Sequence, residues 1–198
     1  MIDQSQEVAA LLPWHKGHYR FESGHHGDTW LNLELLCVRP EPVERLAGVL
    51  ADRLAPHGPS LVCGPLVEGA FVAMMVARRL GLPFAYTERF DPRGERLFSV
   101  QYTLPGKLRD LVLGQRVAIV NDVIGAGSAI LGTMKDLYAC GADPVAIGAL
   151  ATRGPSATVL ARENGLILET LAEFTGDMWK PEECPLCAIG MPLTDETQ

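Results

Sequence analysis

Short apolar runs alternate with longer amphipathic segments over most of this chain of 198 residues. The short runs are too brief for helices and end at turn signals, which is typical of strands buried on both faces. They lie at residues 61–63, 84–86, 117–120, 144–150 and 166–168. Apolar residues at helical spacing occupy 42–54, 71–80 and 130–138, and a helix or turn is expected at 155–163. This alternation predicts an α/β fold, with a mostly parallel central sheet and helices on both faces.

Both ends of the chain and one internal segment depart from this alternation. Residues 8–12 predict a short helix that ends at Pro13, and the alternating residues on both sides of 23–27 predict a β-hairpin. Residues 89–107 combine polar turn signals with an alternating stretch, which predicts a mobile hairpin or lid. We therefore divide the chain into an N-terminal segment (1–40), an α/β core (41–175) that includes the lid, and a C-terminal tail (176–198) that we expect to pack on the core.

Composition narrows the classes of protein that fit this pattern. With 47% hydrophobic and 21% charged residues, the chain is long enough for one sizeable core. It has no apolar run near the roughly 20 residues of a membrane span. Its first residues lack the basic and apolar regions of a signal peptide, so we expect a cytoplasmic protein without membrane contact. A net charge of −7 and the lack of a lysine or arginine cluster argue against a nucleic-acid binder.

The five cysteines are scattered and odd in number, so they predict reduced thiols rather than a disulfide framework. Cys184 and Cys187 form a C-x-x-C pair in the tail. A structural zinc site needs four ligands, and the chain has no second C-x-x-C and no H-x-x-x-H. A redox pair would need a strand before it and a helix after it. The sequence disfavours both, and we interpret the pair as part of a packed loop of unknown purpose, with metal binding by Cys184 and Cys187 left open.

The segment from Arg116 to Ile130, RVAIVNDVIGAGSAI, carries the main functional signal. Its strand is followed by Asn121 and Asp122, by a loop with two glycines, and by a helix that Ser128 is expected to cap. Glycines let the backbone turn tightly beside a ligand, and the free N–H groups of a helix start attract a phosphate. A carboxylate just before them can accept hydrogen bonds from vicinal hydroxyls, so the pattern suggests a ribose 5-phosphate. Any α/β domain contains such turns, so a purely structural role stays open at this point.

A second strand–loop–helix unit repeats this form. The strand at 61–63 leads into a loop from Gly64 to Gly69, whose backbone donors can meet another phosphate. Because ligands collect at the carboxyl ends of parallel strands, we expect both loops to converge. Arg89 lies nearest a strand's carboxyl end among the arginines of residues 89–107, so it is the candidate for contact with an anionic ligand.

These residues resemble a known family. The stretch V-A-I-V-N-D-V-I-G-A-G-S-A is similar to the phosphoribosyl pyrophosphate (PRPP) motif of type I phosphoribosyltransferases. In that motif an acidic pair holds the ribose hydroxyls and the following loop holds the 5-phosphate. The resemblance places the first role on Asn121 and Asp122, and the second on Gly125, Ala126, Gly127, Ser128 and Ala129. It places pyrophosphate binding on the loop of Gly64, Pro65, Leu66, Val67, Glu68 and Gly69.

The motif departs from the family pattern at two positions. Asn121 replaces an acid, and Gly125 stands where a threonine is usual. Losing one charge-assisted hydrogen bond costs on the order of 1.5–3 kcal/mol, or roughly one to two decades in rate or affinity. The asparagine therefore weakens such a site without abolishing it.

The N-terminal hairpin is similar to the hood of orotate phosphoribosyltransferases, with its G-H-F, S-G and aromatic pattern. In that family the hood covers the nucleobase, and the resemblance places this contact on Phe21, Glu22, Ser23, Gly24, His25 and His26. Glu22 stands where a lysine is frequent, and residues 98–102 lack the basic residues of the usual flap. Orotate or a related pyrimidine is the first expectation, with another pyrimidine or a purine left open.

The resemblance implies an enzyme, a pentosyltransferase among the glycosyltransferases, that moves the ribose 5-phosphate of PRPP to a nucleobase and releases pyrophosphate. It implies a homodimer and a Mg²⁺ ion that bridges the ribose diol and the pyrophosphate. Asp122 is the candidate protein contact of that ion, Arg89 would neutralise charge on the leaving group, and no metal site forms from the protein alone. The alternatives are a protein of this fold that binds PRPP or a nucleotide as a sensor with little turnover, and a nucleotide-binding module that does not use PRPP.

Overall fold

The computed structural model describes residues 3–21, 24–90, 101–175 and 178–194. The predictions for Glu22, Ser23 and residues 91–100 lie outside this range. The strands are β1 (Trp14–Arg20), β2 (His26–Leu31), β3 (Leu61–Pro65), β4 (Phe84–Phe90), β5 (Gln101–Thr103), β6 (Arg116–Ile124), β7 (Asp143–Arg153), β8 (Ile167–Phe174) and β9 (Met178–Trp179). The helices are α1 (Gln4–Leu11), α2 (Pro40–Leu54), α3 (Glu68–Leu80), α4 (Gly106–Val112), α5 (Ser128–Ala139), α6 (Ser156–Glu163) and α7 (Pro185–Ala188).

Six strands form the central sheet, in the order β5-β4-β3-β6-β7-β8. The pairs β3–β4, β3–β6, β6–β7 and β7–β8 are parallel, and β5 alone runs antiparallel to its neighbour β4. This arrangement confirms the α/β fold with a mostly parallel sheet. It also brings the carboxyl ends of β3, β4 and β6 to one edge of the sheet.

Helices cover both faces of this sheet, as predicted. On one face, Leu46 and Leu50 of α2 and Val76 of α3 pack in the same buried cluster as Val120. On the other face, Met134 of α5 and other apolar residues of α4 to α6 pack with Ile119. Successive residues of a strand point to opposite faces, so a strand buried on both sides must be apolar at every position.

The N-terminal hairpin is present, and the tail completes it. The strands β1 and β2 pair antiparallel, and β9 from the tail adds to the other edge of β2 to give a second, three-stranded sheet. Thr194 reaches back to β1, where its N–H donates to the carbonyl of His18 at 2.7 Å. The hood, defined here as β1 and β2 with their connecting turn, therefore packs against the tail.

Two sequence predictions about the central unit are wrong. The strand predicted to end at Val120 continues to Ile124, because β7 runs alongside it and pairs residue by residue as far as Ile124 and Thr152. Ser128 does not cap α5, since Gly127 occupies the N-cap position and Ser128 is the first helical residue. Asn121 and Asp122 thus lie inside a paired strand rather than after it.

Among the described residues, no helix combines the length and apolarity needed to cross a bilayer.

Candidate functional site

An open cleft of about 720 Å³ lies at the carboxyl ends of β3, β4 and β6. Both predicted loops converge on it. Its lining comprises Leu33, Pro65, Leu66, Val67, Glu68, Gly69, Glu88, Arg89, Tyr102, Asn121, Asp122, Val123, Ile124, Gly125, Ala126, Gly127, Ser128, Ala129 and Ile130. Of the residues predicted for the two phosphate loops, Gly64 alone is missing from this wall, because it is buried within β3.

The loop after β6 presents the start of a helix to the cleft. Gly127 has a φ of +84°, a left-handed conformation that favours glycine, and it begins α5 as the N-cap. The N–H of Leu131 donates to the carbonyl of Gly127 at 2.9 Å. The N–H groups of residues 128–130 precede this bond, and by helix geometry they have no acceptor within the helix. With the dipole of a 12-residue helix behind them, they suit a phosphate.

Asp122 is the buried acid of the cleft, with 4% of its surface exposed. Burial raises its pKa from 3.8 to about 7, and the negative charge of Glu68 adds to this rise. Hydrogen bonds from the backbone N–H groups of Val123 and of Asp122 itself act in the opposite direction. Contact with a ligand's hydroxyl donor or with a cation favours the ionised carboxylate and would therefore lower this pKa.

Asn121 lines the cleft beside Asp122, but its amide already has a structural partner. Its Nδ2 donates to the carbonyl of Val123 at 3.1 Å. Its Oδ1 lies so close to Gly69 that a Cβ on that residue would come within 2.0 Å of it. The Asn121 side chain therefore packs against the first turn of α3, at a position where only glycine leaves room for it.

The second loop leads into α3, which begins at Glu68. Glu68 and Asp122 are near enough for their charges to interact, and both act on Cys37. The pKa of the Cys37 thiol is raised, first by burial and then by the charges of Asp122 and Glu68. This thiol stays protonated near neutral pH, which makes it a poor nucleophile.

The base of the predicted lid forms the third wall. Arg89 of β4 pairs with Tyr102 of β5 in an antiparallel ladder, so both ends of the described part of the predicted lid lie in paired strands, whereas residues 106–107 already belong to α4. Among the described residues that line the cleft, Arg89 alone carries a positive side chain. Tyr102 packs against Gly132 of α5, where an added Cβ would meet its ring at 2.8 Å. Within the described wall, the groups that can offset the charge of an anionic ligand are the helix-start amides and Arg89.

The described hood residues predicted to contact a base do not line this cleft. Phe21 stacks on Trp30, with ring centroids 6.1 Å apart, and the guanidinium of Arg153 lies 5.1 Å from the Phe21 centroid. Gly24 and His25 follow it in the connecting turn. The ring of His26 faces the tail instead, with its Nδ1 3.2 Å from Sγ of Cys187. This placement differs from the base-contacting role expected of His26.

Several residues line the cleft that no sequence motif indicates as site residues. Leu33, Glu88, Tyr102, Val123 and Ile124 belong to this group. Val123 and Ile124 reach the wall because β6 continues past Val120 as far as Ile124. Tyr102 lies on the strand predicted for the lid, but only the pairing with β4 brings it to the cleft.

Comparison with known proteins agrees with this geometry. The model of the family described as "phosphoribosyl transferase domain" matches residues 41–171. The chain is 32% identical to an orotate phosphoribosyltransferase of a Nitratiruptor species, with 93% of this chain and 91% of that protein covered. It is 31% identical to an orotate phosphoribosyltransferase of Helicobacter pylori, with coverages of 95% and 93%.

Solved structures share the fold. An orotate phosphoribosyltransferase from Aeropyrum pernix superposes with a TM-score of 0.67 and 22% identity, over 88% of this chain and 94% of that one. An adenine phosphoribosyltransferase from Thermoanaerobacter pseudethanolicus also gives a TM-score of 0.67, with 20% identity over 85% and 99% of the two chains. With the family model matched from residue 41 to residue 171, the chain belongs to the phosphoribosyltransferase family, of the type I that the motif on β6 resembles.

Proposed function

We propose that this protein is an orotate phosphoribosyltransferase, which moves the ribose 5-phosphate of PRPP to orotate and releases pyrophosphate. The observation that carries the proposal is the convergence of two glycine-containing strand–loop–helix units on one cleft with a buried acid, Asp122. The relatives that are 31–32% identical over more than nine tenths of the chain support orotate as the base. The fold alone does not identify the base, because an orotate enzyme and an adenine enzyme superpose on this chain equally well.

The proposed roles follow from the positions of the groups. The helix-start amides of residues 128–130 hold the 5-phosphate, and Asp122 accepts hydrogen bonds from the ribose diol. The loop from Gly64 to Gly69 holds the pyrophosphate, and Arg89 offsets its charge. A ring nitrogen of the base then forms a bond to the anomeric carbon as the bond from that carbon to the pyrophosphate oxygen breaks. Catalysis by this arrangement is positioning and electrostatic stabilisation, and it uses no protein nucleophile.

The cleft also suits Mg²⁺. Asp122, Glu68 and Asn121 line its wall and have oxygen-bearing side chains, and oxygen is the ligand type that Mg²⁺ prefers. A cation beside Asp122 would favour the ionised carboxylate and so offset the burial that raises its pKa. Asp122 is the residue that would hold the ion, which would supply positive charge to offset that of the pyrophosphate.

Pyrophosphate release tests the proposal. Full-length protein would be mixed with PRPP, Mg²⁺ and one base at a time, from orotate, uracil, adenine and hypoxanthine. We expect release with orotate only, and its loss on Asp122→Ala. Turnover with adenine or hypoxanthine and none with orotate would overturn the choice of base.

A second function is favoured by Asn121, which stands where the family has an acid and whose amide is engaged with Val123. The protein would then bind PRPP as a sensor with little turnover. Isothermal titration of PRPP, with and without Mg²⁺, separates the two functions. Tight binding without pyrophosphate release for any base would show that the protein is a sensor rather than an enzyme.

The homodimer that the family resemblance implies is also a proposal, and light scattering of the same sample measures it.

A further inference from the structure

A second group of reactive side chains lies outside the cleft, where the hood meets the tail. His18 on β1, His26 on β2, and Cys184 and Cys187 at α7 each place one ligand atom within 4.8 Å of the others. The first three residues of this cluster are buried, and Cys187 is exposed. We propose that the cluster is a structural zinc site with two histidine and two cysteine ligands.

The spacing within the cluster matches a tetrahedral zinc centre. His18 Nε2 lies 3.3 Å from His26 Nδ1 and 3.4 Å from Sγ of Cys184. Sγ of Cys187 lies 3.7 Å from His18 Nε2 and 3.2 Å from His26 Nδ1. Tetrahedral bonds of about 2.0 Å to nitrogen and about 2.3 Å to sulfur separate two nitrogens by about 3.3 Å and a nitrogen from a sulfur by about 3.5 Å. These four separations are close to those expected around one ion, and the other two, from Cys184 to His26 and to Cys187, are within 4.8 Å.

A backbone carbonyl orients the buried histidine of the cluster. His18 Nδ1 lies 2.8 Å from the carbonyl oxygen of Met191. A carbonyl oxygen can only accept, so Nδ1 carries the proton and Nε2 keeps a lone pair directed at the cluster. Histidine ligands of metal ions are held in this way by an acceptor on their other ring nitrogen.

Hydrogen bonding alone leaves this arrangement unexplained. The single lone pair of His18 Nε2 faces His26 Nδ1 and both sulfurs, all within 3.7 Å. One lone pair cannot accept from three donors at good geometry, whereas one cation can bind all four atoms. The cysteines are free thiols rather than a disulfide.

The ligand set selects the metal and its role. Two thiolates with two imidazoles in a tetrahedron suit Zn²⁺. Four protein ligands leave no open position for a substrate, so the site is structural rather than catalytic. The exposure of Cys187 provides a path by which the ion can enter.

The fold shows what such an ion would hold together. His26 pairs with Trp179 of β9, and β9 contributes only two residues to the hood sheet. So short a strand adds little pairing energy by itself. Zinc bound by residues 18, 26, 184 and 187 would fasten the tail to both strands of the hood. This role is independent of the transfer reaction proposed for the cleft.

Metal analysis of the full-length protein tests the site. Elemental analysis would be made on wild type, on the C184S/C187S double variant, and on Cys140→Ser, which removes a cysteine outside the cluster. We expect about one zinc per chain in wild type and in the Cys140→Ser control, and at least a roughly tenfold lower content in the double variant. Zinc retained by the double variant at the wild-type level would overturn the proposal.

Cobalt substitution tests the ligands without any variant. Wild type stripped with 1,10-phenanthroline would be titrated with Co²⁺, whose visible bands report tetrahedral geometry and whose near-ultraviolet bands report thiolate ligands. We expect both sets of bands to saturate at about one equivalent and to vanish on addition of Zn²⁺. Reduced protein that gives no thiolate bands, or that binds no Zn²⁺, would overturn the site even if the double variant fails to fold.

Discussion

The carboxyl group of Asp122 makes the stability of the ligand-free protein depend on pH. Burial raises its pKa from 3.8 to about 7. Between these pH values the folded protein holds a proton that the unfolded chain has lost, so stability falls as pH rises through this window. Between about pH 5 and about pH 8 the loss from this group is on the order of 2–3 kcal/mol.

Asp122→Asn tests this dependence, because asparagine keeps the shape of the side chain and cannot ionise. Urea unfolding at the two pH values would be compared for wild type, Asp122→Asn and the control Asp110→Asn, which alters an exposed acid on α4. We expect the stability of Asp122→Asn to change less with pH than that of the other two proteins. Equal pH dependence in all three would mean that Asp122 is hydrated in solution and does not titrate near 7.

Asn121 differs from the acid of the family motif, and restoring the acid should not improve this protein. In Asn121→Asp the carboxylate cannot donate to the carbonyl of Val123 and would face its oxygen instead. It would also add a negative charge beside Asp122. We expect a loss of roughly 1–3 kcal/mol in unfolding free energy and no gain in PRPP affinity. Denaturant unfolding and PRPP titration measure both, and a more active variant would show that the amide contact is dispensable.

At the scale of elements, the contact between α5 and β5 connects the helix that we propose binds the 5-phosphate to the base of the predicted lid. A Cβ on Gly132 would meet the ring of Tyr102 at 2.8 Å, whereas Gly48 of α2 has open space at this position. Gly132→Ala should therefore displace β5 and weaken PRPP binding, while Gly48→Ala should raise stability by about 0.5–1 kcal/mol through helix propensity. Thermal unfolding and titration would be measured for both. Equal PRPP affinity in the two variants would mean that the lid base does not depend on this contact.

The apolar period of the chain predicts the core elements because it reports burial directly. It places the strand that contains Val120 and the helix that contains Met134. It cannot place the end of β6, because polar residues such as Asn121 stay in the strand through pairing with β7. Residue type likewise favours Ser128 as the helix cap. The structure has Gly127 at this position, because the turn before α5 requires a positive φ.

For the whole molecule, the sheet topology determines which groups of distant residues can be predicted from the sequence to lie together. The convergence of the two predicted phosphate loops can be predicted from the sequence, because the carboxyl ends of parallel strands lie at one edge of a sheet. The hood–tail cluster could not, because His18 and Cys184 are 166 positions apart. The sequence contains the ligand pair C-x-x-C but no second pair of ligands at a short, recognisable spacing. The partner is a hairpin with one histidine on each strand, and contacts of the tail with both strands, β9 with β2 and Thr194 with β1, bring the two halves together.

Hydrogen exchange of the full-length protein should reveal the hood and the core sheet as units of different stability. The core strand β6 lies between two parallel neighbours and is buried on both faces, so its amides should open only in global unfolding. The hood sheet depends on a two-residue strand and, in our proposal, on zinc. Removal of zinc should therefore speed exchange in residues 14–20 and 26–31 by at least about tenfold, or about 1.4 kcal/mol of local stability, and leave residues 116–124 unchanged. The Cys140→Ser control should respond as wild type does. Equal acceleration in β6 would mean that hood and core unfold together, and no acceleration in the hood would mean that its strands hold the tail without the metal.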